Sequence, residues 1–140
     1  MLTPRIAIVT YAVTFLAFVL IDIVWLMNAG VPMFRATLGD MILDQPRMVP
    51  AVLFYLLFPV GILYFASLPA LAARSLATAA VRGGAFGFFA YMTYELTNHA
   101  TLRLWSWNLV ITDTIWGAVL TAVSAVLGVA AARWLSGREA

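Results

Sequence analysis

Residues 6–28 read IAIVTYAVTFLAFVLIDIVWLMN, an apolar run with a single charged residue, Asp22. A helix needs about 20 such residues to cross the hydrocarbon core of a bilayer, and this run is long enough. It is too long for the apolar part of a signal peptide, and no small-residue cleavage site closes it, so it is expected to be retained as a membrane helix. Three further runs share its character: Val49–Ala73, Leu76–Thr97 and Leu109–Trp134. The expected fold is therefore all-α, a four-helix transmembrane bundle forming one integral membrane domain over residues 1–140.

Composition agrees. The chain is 64% hydrophobic and 10% charged, against roughly 25% charged in ordinary soluble domains, so it has too little polar surface to cover a water-soluble globule. Without cysteine there is no disulfide, thiolate metal site or cysteine nucleophile. Every basic residue is arginine, which excludes a Schiff-base lysine. A net charge of +2 without a basic stripe gives no footprint for nucleic acid. No cofactor is expected. The expected partners are the lipid bilayer, a lipid-like small molecule, and a membrane-protein partner or second copy of the chain.

Arginines orient the bundle, because cytoplasmic connections carry the excess of positive charge. With four spans, Arg5, Arg74, Arg82, Arg133 and Arg138 share one side. Arg35, Arg47 and Arg103 lie on the other, offset by Asp40 and Asp44. The expectation is an inner (plasma) membrane protein with both termini cytoplasmic.

Several features promise local structure. Pro32 is suited to start a short helix between spans 1 and 2, with Phe34, Leu38, Met41 and Ile42 on one face and Thr37, Asp40 and Asp44 opposite. That pattern suits the outer interface, although Met33 and Leu43 fall off the apolar face. Pro59 and Gly61 are expected to break the second span. Gly83 and Gly87 have GxxxG spacing, and Gly117, Thr121, Ser124 and Gly128 form a small-residue stripe; both suit close helix packing, within the chain or between chains. The run from Ser67 to Ser75 suggests a tight inner turn.

Three carboxylates stand out. An aspartate near the middle of a membrane helix costs about 2.5–3.5 kcal/mol on insertion scales, so each needs a partner or a watery site. Asp22 and Glu95 come late in outward-running helices and Asp113 early in an inward-running one, which puts all three at similar depth in the outer third. Trp25 follows Asp22 by three residues, and Trp116 follows Asp113 by three. Tyr91, Glu95, Asn98 and His99 share one face of the third helix. Trp105 and Trp107 sit in the connection after it, where indoles commonly anchor at headgroup level.

Four readings compete: a hydrogen-bond network that fixes the helices, a pocket opening to the outer face, a proton or cation pathway, and a divalent-metal site. The last rests on Glu95 and His99 as its candidate ligands.

Three ordered motifs are distinctive: Asp22-Ile23-Val24-Trp25-Leu26, Tyr94-Glu95-Leu96-Thr97-Asn98 followed by Ala100-Thr101-Leu102, and Asp113-Thr114-Ile115-Trp116-Gly117. With Phe54-Tyr55-Leu56-Leu57 they resemble the DUF2177 family of bacterial membrane proteins over nearly the whole chain. The resemblance implies a four-span architecture and no activity. It also implies an acidic residue at the position of Glu95 but no fixed residue at that of His99, which weakens the metal reading.

The leading functional expectation is a small or lipid-like ligand held in an outward-facing carboxylate and aromatic pocket by Asp22, Trp25, Tyr91, Tyr94, Glu95, Asn98, Asp113 and Trp116. The alternatives are a membrane-embedded enzyme using paired carboxylates as acid and base, and a structural or accessory subunit of a membrane complex. No Ser-His pair, phosphate loop or cofactor motif names a catalytic residue.

Overall fold

Helix α1, Pro4–Trp25, starts where the Thr3 hydroxyl accepts the Ile6 N–H at 3.3 Å, with proline in the first turn. In the computed structural model, which describes residues 3–137, the helical path does not stop at Trp25. It passes through a π turn, Leu26–Gly30, into α2, Val31–Leu38, and a short 3-10 turn ending at Met41. A β-carbon on Gly30 would lie 2.8 Å from Trp25 Cε3, so glycine here lets the indole lie against the chain. The helix gives way at Gly39, whose φ of 55° suits a residue without a side chain.

The short helix expected from Pro32 is thus present as α2, but it continues α1. Its apolar side is also differently composed: Met33 joins Phe34, Leu38 and Ile42 against Trp105, Leu109 and Val110. Met41 is 61% exposed, because helical spacing no longer governs residues beyond Gly39.

The second long helix comes in three parts: α3, Met48–Ile62, a π turn, Leu63–Ser67, and α4, Leu68–Ala72. Pro59 lies buried inside α3, and the regular ladder yields to the π turn one turn later. Gly61 makes room for Phe86, whose Cζ would stand 2.7 Å from an added β-carbon. The tight turn expected over Ser67–Ser75 is confined to its end, because Leu68–Ala72 is helical. Arg74 takes a φ of 51°, and the Ser75 hydroxyl accepts the Thr78 N–H at 3.1 Å to start α5, Leu76–Thr101. Helix α6, Trp107–Gly137, completes the bundle.

By length and composition three of these helices are able to cross a membrane: the run from Pro4 to Met41, Met48–Ala72 and Trp107–Gly137. Helix α5 has 26 residues. Arg82, the glycine pair, Glu95, Asn98 and His99 dilute its hydropathy, so it does not stand out as the third span that was expected. It joins the bundle by packing along α6.

Helix α6 is central. A β-carbon on Gly83 would lie 2.9 Å from Ala125 Cβ, and one on Gly87 would strike the Gly117 carbonyl and Thr121. Further along, Gly128 receives Thr10 and Thr14 of α1. Both small-residue stripes therefore pack within the chain.

The bundle buries its polar side chains beside an apolar core and turns large apolar side chains outward. On α1, Thr10, Thr14, Phe18 and Asp22 are buried at steps of four residues, while Ile8, Leu16, Leu20 and Val24 are exposed. Water would not tolerate such a surface, and lipid requires it.

Candidate functional site

The antiparallel course of successive helices brings the end of α1, the start of α3, the end of α5 and the start of α6 to one end of the bundle. Asp22, Glu95 and Asp113 meet there, with exposures of 5%, 0% and 7%. The expected convergence is present, and the three carboxyls have different surroundings.

Asp22 is saturated. Tyr55 of α3 donates its hydroxyl to Oδ2 at 2.6 Å, and Trp116 of α6 donates Nε1–H to Oδ1 at 2.9 Å. Trp25, one turn beyond Asp22, stacks on Trp116 with centroids 4.9 Å apart and 8° between the ring planes. The two Asp-x-x-Trp motifs thus interlock across antiparallel helices, the tryptophan of one serving the aspartate of the other.

Glu95 takes one donor, Trp105 Nε1–H at 2.7 Å. Its Oε1 is buried and receives no protein donor. Trp105, expected as a headgroup anchor, is instead 8% exposed and works as this carboxylate's partner. Its ring is held edge-on by Phe34 and Tyr94. Trp107 is the exposed one of the pair and packs on His99.

Asp113 receives no indole or hydroxyl donor among the described residues. Its carboxyl lies within hydrogen-bonding reach of Glu95 and in the field of Asp22. One proton held between Asp113 and Glu95 would satisfy both acceptors, since a protonated carboxyl donates where an ionised one only accepts. Arg103, the nearest cation in sequence, is exposed and borders a separate groove with Leu38, Met41 and Leu104.

Beside these carboxyls is a cavity of about 410 Å³. Asp22 and Asp113 are its acidic groups. Its walls are Trp25 and Leu26, Phe34, then Phe54, Tyr55 and Phe58 of α3, and Ala90, Tyr91 and Tyr94 of α5. Tyr91 is held by Gly117, on which a β-carbon would overlap its ring.

Of the residues singled out from sequence, Asp22, Trp25, Tyr91, Tyr94 and Asp113 line the cavity. Trp116 and Glu95 stand behind it, holding Asp22 and facing Asp113. Asn98 is outside the lining and reaches the Tyr94 phenol. Among the described residues no group of three or more His, Cys, Asp or Glu is disposed to hold a metal. Glu95 faces Trp105, and His99 is packed on Trp107.

Tyr55 was missed. A single phenol in the most apolar part of the second span was its available signal. The phenylalanines of α3 carried none, because in a membrane helix an inward ring reads the same as a lipid-facing one.

Residues 7–130 match the family described as predicted membrane protein (DUF2177). No curated protein and no solved structure matches the chain.

Proposed function

The chain belongs to the DUF2177 family of predicted membrane proteins, and from its site we propose that it holds a small or lipid-like ligand in the carboxylate and aromatic cavity. The observation that carries this reading is the cavity itself: about 410 Å³ of space with two carboxyls at hand in otherwise aromatic and aliphatic walls. Ligand sites are typically such concave, mainly apolar spaces with few convergent polar groups. A purely structural network would be expected to supply donors to each carboxylate, as Tyr55 and Trp116 do for Asp22, and to leave no space beside them.

In the same proposal the cavity lies toward the outer face of the inner membrane, with both termini cytoplasmic. Arg5, Arg74, Arg82 and Arg133 lie at the opposite end; Arg138 lies outside the described residues. On the cavity side, Arg35 is neutralised by Asp44 at 3.2 Å, which leaves fewer free positive charges there. A cytoplasmic reporter inserted near Arg74 should be active and one between Gly39 and Pro46 silent; the opposite pattern would turn the cavity to the cytoplasm.

The test of ligand binding is mass spectrometry of small molecules that co-purify in mild detergent, with Ala90→Trp as the comparison. Ala90 lines the cavity and touches no carboxyl hydrogen bond, so an indole there fills the space. A molecule present with the wild type and absent from the folded variant is the expected result. A stoichiometric protein partner with no small molecule would favour the accessory-subunit reading instead.

One observation favours a second reading. The Asp113 and Glu95 carboxyls lie within hydrogen-bonding reach of each other, the proximity that an acid and base pair needs. Conversion of the co-purified molecule on incubation, lost in Glu95→Gln, would distinguish an enzyme from a binder.

A further inference from the structure

Resting on the ligand-pocket reading above, we propose that the cavity takes a lipophilic cation, an amine or quaternary ammonium with apolar substituents. Charge balance is the first ground. Three carboxyls are gathered at this end of the bundle, and no arginine or histidine lines the cavity. Arg35 is engaged by Asp44, and Arg103 is exposed on another groove. Asp113 and Glu95 lie within hydrogen-bonding reach of each other, and a single proton between them would still leave one negative charge on the pair.

The second ground is the state of Asp113. It is more than nine-tenths buried, lines the cavity, and receives no N–H or hydroxyl donor among the described residues. Among these residues Glu95 is the one neighbour placed to share a proton with it, and the open side of the group is the cavity, where a cation would meet the negative charge that one shared proton leaves on the pair. Asp22 differs because Tyr55 and Trp116 already satisfy both its oxygens.

The third ground is the wall chemistry. Trp25, Tyr55, Phe58 and Tyr91 surround the space beside the carboxyls. Aromatic faces carry the negative end of the ring quadrupole and attract an organic cation, most strongly where water is excluded. An anionic headgroup would meet carboxylates and ring faces alike with repulsion. A neutral lipid would leave Asp113 without a counter-charge.

Tetraphenylphosphonium and tetraphenylborate have the same four-ring shape and opposite charge. Equilibrium dialysis of each against the protein in nanodiscs of zwitterionic lipid, corrected with empty nanodiscs, reads the sign preference on the wild-type protein. The expected result is saturable binding of the phosphonium and none of the borate. Asp113→Asn should weaken the phosphonium by about thirtyfold or more, as when one partner of a buried charge pair is removed. Borate binding as tight as phosphonium binding, or a phosphonium affinity untouched in folded Asp113→Asn, would overturn the cation inference and leave the pocket reading standing. Saturable binding of neither ion would also overturn it, and the pocket reading would then be judged by the Ala90→Trp comparison alone.

Discussion

Asp22 and Asp113 each precede a tryptophan by three residues, each lies buried at the same end of the bundle, and their surroundings differ. Asp22 is closed in by a phenol and an indole, one on each oxygen. Asp113 borders the same cavity without a phenol or indole donor among the described residues and meets another carboxyl. The difference comes from which helix lies opposite. Asp22 faces the start of α3 and α6, which present Tyr55 and Trp116. Asp113 faces the end of α5, which presents Glu95 and the rings of Tyr91 and Tyr94. Equal spacing in sequence therefore yields a structural clamp at one copy and an acid facing a second acid at the other.

Trp116→Ala should give the largest loss. It removes one donor from Asp22, the stack under Trp25 and a large ring from the interior, and Trp→Ala changes in packed cores typically cost about 3–5 kcal/mol. A pronounced fall in the thermal unfolding midpoint in mild detergent is expected; a midpoint near wild type would break the claim that the clamp holds α1 to α6.

Tyr55→Phe is a finer cut at the same clamp. It keeps the ring and deletes only the hydroxyl donor, so it should cost about 1.5–3 kcal/mol, the range for a hydrogen bond to a charged group. The same unfolding assay checks it, and cavity binding should largely survive. Equal damage to binding and stability would show that the clamp and the cavity are one device.

Gly117→Ala approaches the comparison from the Asp113 side. Its β-carbon would push on the Tyr91 ring, overpacking that costs about 1–3 kcal/mol while leaving both donors of Asp22 in place. Binding should suffer along with stability, because Tyr91 is a cavity wall. Unaltered ligand retention at reduced stability would mean that the position of Tyr91 does not matter to the ligand.

Much of this arrangement is legible in the sequence, for physical reasons. Carboxylates inside apolar runs are costly, so Asp22, Glu95 and Asp113 announce an interior site. Alternating span direction is expected to bring them to one end of the bundle, and all three are buried there. Gly83 and Gly87 signal close approach, and the structure supplies the partner, α6. What remained illegible was pairing. Nothing in Asp-x-x-Trp spacing says that Trp116 will serve Asp22, since that depends on how antiparallel helices cross. Trp105 resembled a surface anchor because its role depends on the fold of the α5–α6 connection back over Glu95. The π turns at Leu26–Gly30 and Leu63–Ser67 have no distinct periodicity, so α2 looked separate from α1.

The most direct test is to neutralise each aspartate in turn and compare the two proteins by thermal unfolding in the same mild detergent. Asp22→Asn should be clearly destabilised, because two donors that now meet a charge would meet an amide. Asp113→Asn should stay within about 1 kcal/mol of wild type, since its new N–H₂ is placed to donate to the unpaired Glu95 Oε1. Equal losses in the two variants, or a larger loss at Asp113, would contradict the account.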